Sequence, residues 1–340
     1  MVEDGSTGAS MCSRGNVTGV CYMLLWIFLS AAVIILNKYI LDPSLGNFPF
    51  PLALTASHML FSSAVAWLLV HAGLVEAPGM PKELWTRSVV PVGALFAVTL
   101  WMGNAAYMYL SVSFIQMMKA VMPMLVYSVG CLLGTEVFVS HTCGILVVVV
   151  TGVLVASYGE LMFVFVGVVF QVASLLSEAT RLTMVQLLLQ SKGIKLNPIT
   201  SLYYIAPVCL MCLLLPLGAL EANRIREHKW SLHPGIVVLS AVAAFALNCS
   251  VFLLIGKTSA LVMNLAGVFK DVMLIYLSMS IYGSTVTELQ VLGYSVALCG
   301  AFYYNYRRMS TVAAVKQKKP DAEKLMITKD STGKAGSGNV

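Results

Sequence analysis

The chain has 340 residues, 59% of them hydrophobic and 11% charged, with a net charge of +6 and a mean hydropathy of +0.85. A soluble domain carries roughly 25% charged residues, so this composition excludes a soluble globular protein and points to a membrane protein. The positive balance falls in loops and tail, which leaves no case for a nucleic-acid partner.

The first 18 residues include Glu3 and Asp4 and read as a short cytosolic segment, too acidic for a plastid or mitochondrial transit peptide. Apolar runs of about 17 to 25 residues, enough for a helix to cross hydrocarbon, follow one another along the chain. Ten are predicted, at about 20–40, 51–71, 89–110, 113–134, 141–158, 161–189, 199–220, 235–255, 259–282 and 288–306. Loops of a few residues after the third, fourth, fifth, eighth and ninth runs make those helices antiparallel neighbours. Residues 309–340 are lysine-rich, then rich in Gly and Ser, and are expected to be a disordered cytosolic tail. Cytosolic loops carry the excess of Lys and Arg. With the N-terminus inside, twelve such residues from Arg14 to Lys319 fall on the cytosolic side and four, Lys38, Arg224, Arg226 and Lys229, on the other. Both termini are therefore expected in the cytosol.

The fourth run, from Ser113, matches the ninth, from Ser259, at an offset of 146 residues, and Gly134 aligns with Gly283. Asn104 and Asn248 hold similar places before those serines. Five spans per copy, 19–158 and 159–308, make the second copy enter the membrane in the opposite sense. The expected fold is thus an all-α membrane protein of ten transmembrane helices in two inverted five-helix repeats, the plan of secondary transporters.

A charge at mid-membrane costs roughly 2.5 to 3.5 kcal/mol or more, which marks intramembrane ionisable residues as functional candidates. Lys270 and Asp271 lie mid-way along the ninth span; being adjacent, they point about 100° apart and are not expected to neutralise each other. Lys119 enters from the fourth span, so that the two lysines would converge on one cavity suited to an anion. Gln116, Asn248 and Tyr204 are candidate uncharged contacts. Asn104, Asn264, Tyr203 and His58 are of the same kind, although any one of them is more readily a hydrogen bond between helices. Lys38 ends the first span as an anchor or gate, and Arg181, three residues after Glu178, has ion-pair spacing near the end of the sixth. Pro123 and Pro207 predict breaks within spans. Cys209 and Cys212 have CxxC spacing but no second pair or nearby histidine, so neither a metal nor another cofactor is expected. No hydrolase, protease or nucleotide-loop motif is present, and the chain is not expected to be an enzyme.

Asn37-Lys38, VSFIQMMKAVMP, NPITSLYYIAP and GKTSALVMNLAGVFKD resemble the triose-phosphate translocator and nucleotide-sugar transporter group of the drug/metabolite transporter superfamily. The resemblance covers nearly all of residues 20–308. It implies ten helices in two inverted halves and exchange of phosphorylated sugars or nucleotide sugars against phosphate or nucleoside monophosphate. Lys119 matches a phosphate-binding lysine of the plastid translocators and Lys270 the first residue of their Lys-Arg pair, whose second member is here Asp271. That departure points to a nucleotide sugar of UDP type exchanged for nucleoside monophosphate in the Golgi or ER. The alternatives are a sugar phosphate/phosphate antiporter carrying triose phosphate or phosphoenolpyruvate, and a membrane scaffold without transport. Phosphorylated small molecules and the lipid bilayer are the expected partners, and homodimerisation is left open.

Overall fold

The computed structural model describes residues 6–310 apart from 78, 162, 193–197, 229–232, 256–259 and 309, with the side chains of 6–17, 188–192, 198, 251, 252, 254, 255 and 260–265 also left out. The disordered-tail and Ser259 expectations fall outside these residues, as does the side chain of Asn264. Among the described residues the chain is helical throughout, without a strand. In chain order the helices are α1 (Ser6–Leu41), α2 (Pro51–His71), α3 (Lys82–Ala106), α4 (Val112–Leu132), α5 (Ser140–Tyr158), α6 (Phe165–Lys192), α7 (Ile199–Glu227), α8 (Pro234–Ile255), α9 (Ala260–Tyr282) and α10 (288–308). Among the described residues seven of them, α1 to α7, are long and apolar enough to span a membrane, and Pro234–Ser250 of α8 is a shorter apolar helix.

Local chemistry sets the boundaries. The Ser111 hydroxyl accepts the Phe114 amide at 3.1 Å and caps α4, which therefore starts before Ser113. Gly134 after α4 and Gly283 after α9 both adopt left-handed backbone, at φ 72° and 62°, the conformation of a helix-ending glycine. Three helices are not regular. In α3 a π-turn (Trp85–Val89) precedes Pro91, and in α7 another (Leu217–Glu221) follows Pro216. In α4 a 3₁₀ turn over Lys119–Val121 precedes Pro123, whose missing N–H removes an α-helical partner of the Lys119 carbonyl. Pro207 lies within α7 without a separate break at that point.

Packing is by pairs of helices. Helix α1 lies against α8 and α9, α3 against α6 and α7, α2 against α7 and α8, and α4 against α5, α6 and α9. The tightest approach joins α5 to α10. A Cβ on Gly152 would stand 2.6 Å from the Ala297 nitrogen and the Gly293 oxygen, and one on Gly293 would stand 2.4 Å from the Ala156 nitrogen. Gly152 with Ala156, and Gly293 with Ala297, are reciprocal small-xxx-small pairs that bring two backbones together.

A chain of buried hydrogen bonds ties α1, α2, α3 and α8. Ser240 Oγ donates to Asn37 Oδ1 (2.8 Å), Asn37 Nδ2 to Asn104 Oδ1 (3.1 Å), Asn104 Nδ2 to Thr55 Oγ1 (2.9 Å) and Thr55 Oγ1 to the Pro51 carbonyl (2.7 Å). Because the Ser240 hydrogen is committed to Asn37, the 3.0 Å contact with His58 Nε2 makes that nitrogen the donor. Asn104 and His58 thus act between helices, as their positions suggested. Glu221, 5% exposed, receives the Leu52 and Ala53 amides at 3.0 and 2.9 Å and so caps the N-terminus of α2 from α7.

Candidate functional site

The 3₁₀ turn in α4 puts Lys119 at the helix break, where its Nζ donates to Gln116 Oε1 at 3.1 Å. Gln116 is fully buried, and among the described residues its Nε2 has no aligned acceptor, although its side chain approaches the Tyr107 hydroxyl. On α9 the expectation that Lys270 and Asp271 stay apart is overturned, because Lys270 Nζ lies 3.1 Å from Asp271 Oδ1. The four-carbon stem of lysine bends back over the 100° that separates neighbours on a helix. Apart from this ion pair, Asp271 Oδ1 has no donor among the described residues. Lys270 also lies over the Trp26 ring of α1, 5.4 Å from its centre, a cation–π arrangement. The two lysines and Asp271 interact electrostatically with one another.

A cavity of about 420 Å³ opens at this place between α1, α4, α9 and α10. Trp26, Lys119 and Asp271 line it, as does Tyr294 of α10, and it extends along α10 to Tyr304 and Arg308. Small-molecule sites have volumes of roughly 300 to 1,000 Å³, and this one has the charge for an anion. At its far end Arg308 Nη2 meets Glu136 Oε1 at 2.6 Å.

The other predicted residues are placed elsewhere. Lys38 donates to the Tyr107 carbonyl at 2.7 Å and pairs with Asp42 at 3.4 Å at the end of α1. Burial pushes the Asp42 carboxyl up, but the Ser44 hydroxyl and amide and the Lys38 ammonium outweigh it and hold it below the ordinary value. Arg181 grips Glu178 through Nε at 2.7 Å and Nη2 at 2.5 Å and stacks on Phe96 at 4.9 Å, which ties α6 to α3. Asn248 donates to the Ala244 carbonyl of its own helix at 2.9 Å. The Tyr204 ring meets Tyr203 edge-on at 5.0 Å. Neither Asn248 nor Tyr204 lines the cavity.

Sequence reading passed over Trp26, Glu221 and the Arg308–Glu136 pair. A signal for Arg308 was present: Ala301, Tyr304, Asn305 and Arg308 recur at i, i+3, i+4 and i+7 and form one face of α10.

Residues 17–305 match the model described as the Triose-phosphate Transporter family. Two Arabidopsis thaliana proteins, each named "Probable sugar phosphate/phosphate translocator", are 47% identical over 94% and 92% of this chain and 91% and 92% of their own lengths. A third Arabidopsis thaliana protein, named a GDP-mannose transporter, is 30% identical over 84% of each chain.

Proposed function

Because the chain belongs to the Triose-phosphate Transporter family, we propose that it is a secondary antiporter that exchanges a sugar phosphate for phosphate by alternating access. The observation that carries this reading is the meeting of Lys119 and Asp271 in the lining of one cavity, with Lys270, itself outside that lining, 3.1 Å from the Asp271 carboxylate. Lys119 supplies a cation at the break of α4, and Lys270 a second that is partly spent on Asp271. Gln116 Nε2, a buried donor without an aligned acceptor among the described residues, suits a phosphate oxygen.

The architecture we assign is ten spans in two inverted halves. In its support, the most extensive helix contacts survive exchange of each helix for the one five places on. Thus α1–α8 becomes α6–α3, α3–α7 becomes α8–α2, α4–α6 becomes α9–α1, and α2–α7 and α4–α9 map onto themselves. The left-handed glycines 134 and 283 and the reciprocal α5–α10 contact fit the same operation.

Two features weigh on the cargo. The sugar phosphate/phosphate name belongs to relatives at 47% identity, whereas a nucleotide-sugar name belongs to one at 30%, so the comparisons favour the small sugar phosphate over the UDP-type nucleotide sugar. Asp271 favours the second reading, since a carboxylate beside Lys270 removes charge that a small phosphate would use and that base and ribose contacts could replace. A Golgi or ER membrane goes with that second reading, and colocalisation of a fluorescent fusion with compartment markers tests it.

Counter-exchange in proteoliposomes decides between the cargoes. With phosphate inside, labelled triose phosphate or phosphoenolpyruvate should enter, and Lys270→Met should remain folded and lose exchange. Uptake of a nucleotide sugar only against its nucleoside monophosphate would replace the first reading with the second. A Lys270→Met protein that exchanges normally would make the charged pair structural.

A further inference from the structure

The cavity is longer than one phosphate site. On α10 its lining runs from Tyr294 to Arg308, fourteen residues, or about 21 Å at 1.5 Å per residue. Tyr294 belongs to the level of Met117, Ala120 and Ile275, beside Lys119, so Arg308 stands about that distance away along the helix axis. A small phosphorylated sugar cannot touch both ends at once. The cavity therefore offers two cationic stations, and only the inner one has been given a role.

At the outer station Arg308 is held by Glu136, which α4 fixes rigidly. The Thr135 and Glu136 amides donate to the Gly130 carbonyl, Gly134 takes a left-handed conformation, and Glu136 Cγ lies 2.8 Å from where a Gly130 Cβ would be. The pair thus ties the end of α4 to the end of α10 across the cavity mouth. Its side chains are 41% and 32% exposed, and ion pairs in such surroundings contribute little to a fold. A guanidinium offers five donors in a planar fork that fits phosphate at least as well as carboxylate.

We propose that Arg308 is an outer binding station for the phosphate group, with Glu136 as a resident anion that incoming substrate displaces before moving inward to Lys119. Displacement also unties α10 from α4 at the mouth. The inference rests on the cavity being the transport path, and the test separates the two.

Inorganic phosphate exchange is measured in proteoliposomes of resolved orientation, from each membrane face in turn. Arg308→Gln should raise half-saturating phosphate about tenfold on the Arg308 face and far less on the opposite face, and weaken the dependence on salt. Glu136→Gln should lower half-saturation on the Arg308 face severalfold, and Arg308→Lys should restore only part of the affinity. Equal shifts on both faces, or none in either variant, would overturn the outer station even while Lys119→Ala abolishes exchange and upholds the inner site. If the unmodified protein exchanges no phosphate, the transport reading fails, and the station is read from binding. Phenylglyoxal labelling of Arg308, located by tandem mass spectrometry in the full-length protein, should be slowed by phosphate and not by chloride at equal ionic strength. Equal labelling in both would sink the proposal.

Discussion

At the scale of single residues, the deep lysines were readable because hydrocarbon makes a stray cation expensive: Lys119 and Lys270 stand out in any hydropathy scan. Their partners were not readable. Whether Lys270 bends onto Asp271 depends on a flexible stem and on the Trp26 ring across the gap, and neither is fixed by spacing in one helix. Gln116 was legible as a polar residue in an apolar run, but its divided state, Oε1 on Lys119 and Nε2 without an aligned acceptor among the described residues, emerges only from packing. That state gives a prediction. Gln116→Met keeps the volume, frees Lys119 from its acceptor and removes the buried donor. A hydrogen bond to a charged group contributes about 1.5 to 3 kcal/mol, so half-saturating substrate should rise by roughly 10- to 100-fold. Unchanged affinity would mean that the Gln116 amide never meets a phosphate oxygen.

Among the helices, most boundaries fall within a few residues of the apolar runs, but α1 starts at Ser6 rather than 20, α3 at Lys82 rather than 89, and α7 continues to Glu227 rather than 220, because polar turns extend a helix past its apolar stretch. Pro123 announced a break, and the structure puts it at Lys119, a turn earlier, because the ring acts on the carbonyl four residues before it. Arg181 and Lys38 look like gate or anchor by position alone, and the structure adds their bonds, to Glu178 and to Tyr107 and Asp42, which position alone does not give. The α5–α10 contact was invisible to a search for charges, since glycine and alanine carry no chemistry of their own; only the reciprocal spacing of Gly152–Ala156 and Gly293–Ala297 gives it away. Here a side chain has nowhere to go, as backbone atoms rather than flexible ends fill the space. Gly152→Leu should force the two helices apart, cost about 1 to 3 kcal/mol by overpacking, and lower the melting temperature in detergent. Gly144→Leu, on the same helix with nothing within 4 Å, is the control and should melt like the parent protein. If both variants melt alike, the close contact is not what holds α5 to α10.

For the whole molecule, the balance of charge in the inner site bears on why such a carrier would exchange rather than leak. Two uncompensated lysines would make closure without cargo costly, several kcal/mol for each unpaired ion. The Lys270–Asp271 contact changes that sum, leaving a surplus of one positive charge, centred on Lys119. A phosphate monoester carrying one negative charge cancels it, whereas the dianion overshoots by one. The second ionisation of such esters lies near pH 6, so the fraction that fits best grows as the pH falls through about 6. Half-saturating sugar phosphate, expressed as total concentration, should therefore fall between pH 8 and pH 6 in the unmodified protein. Asp271→Asn restores a surplus of two, matches the dianion instead, and should reverse the trend, with its tightest binding above pH 7. The empty carrier should also return more slowly in that variant, so that uptake into unloaded vesicles drops relative to exchange. Measuring both proteins across that range, with the labelled substrate held below saturation, separates the substrate's ionisation from any protein group, because only the former inverts on removing one carboxylate. Parallel pH profiles would remove Asp271 from the charge balance and leave Lys270 free to meet the substrate with its full charge.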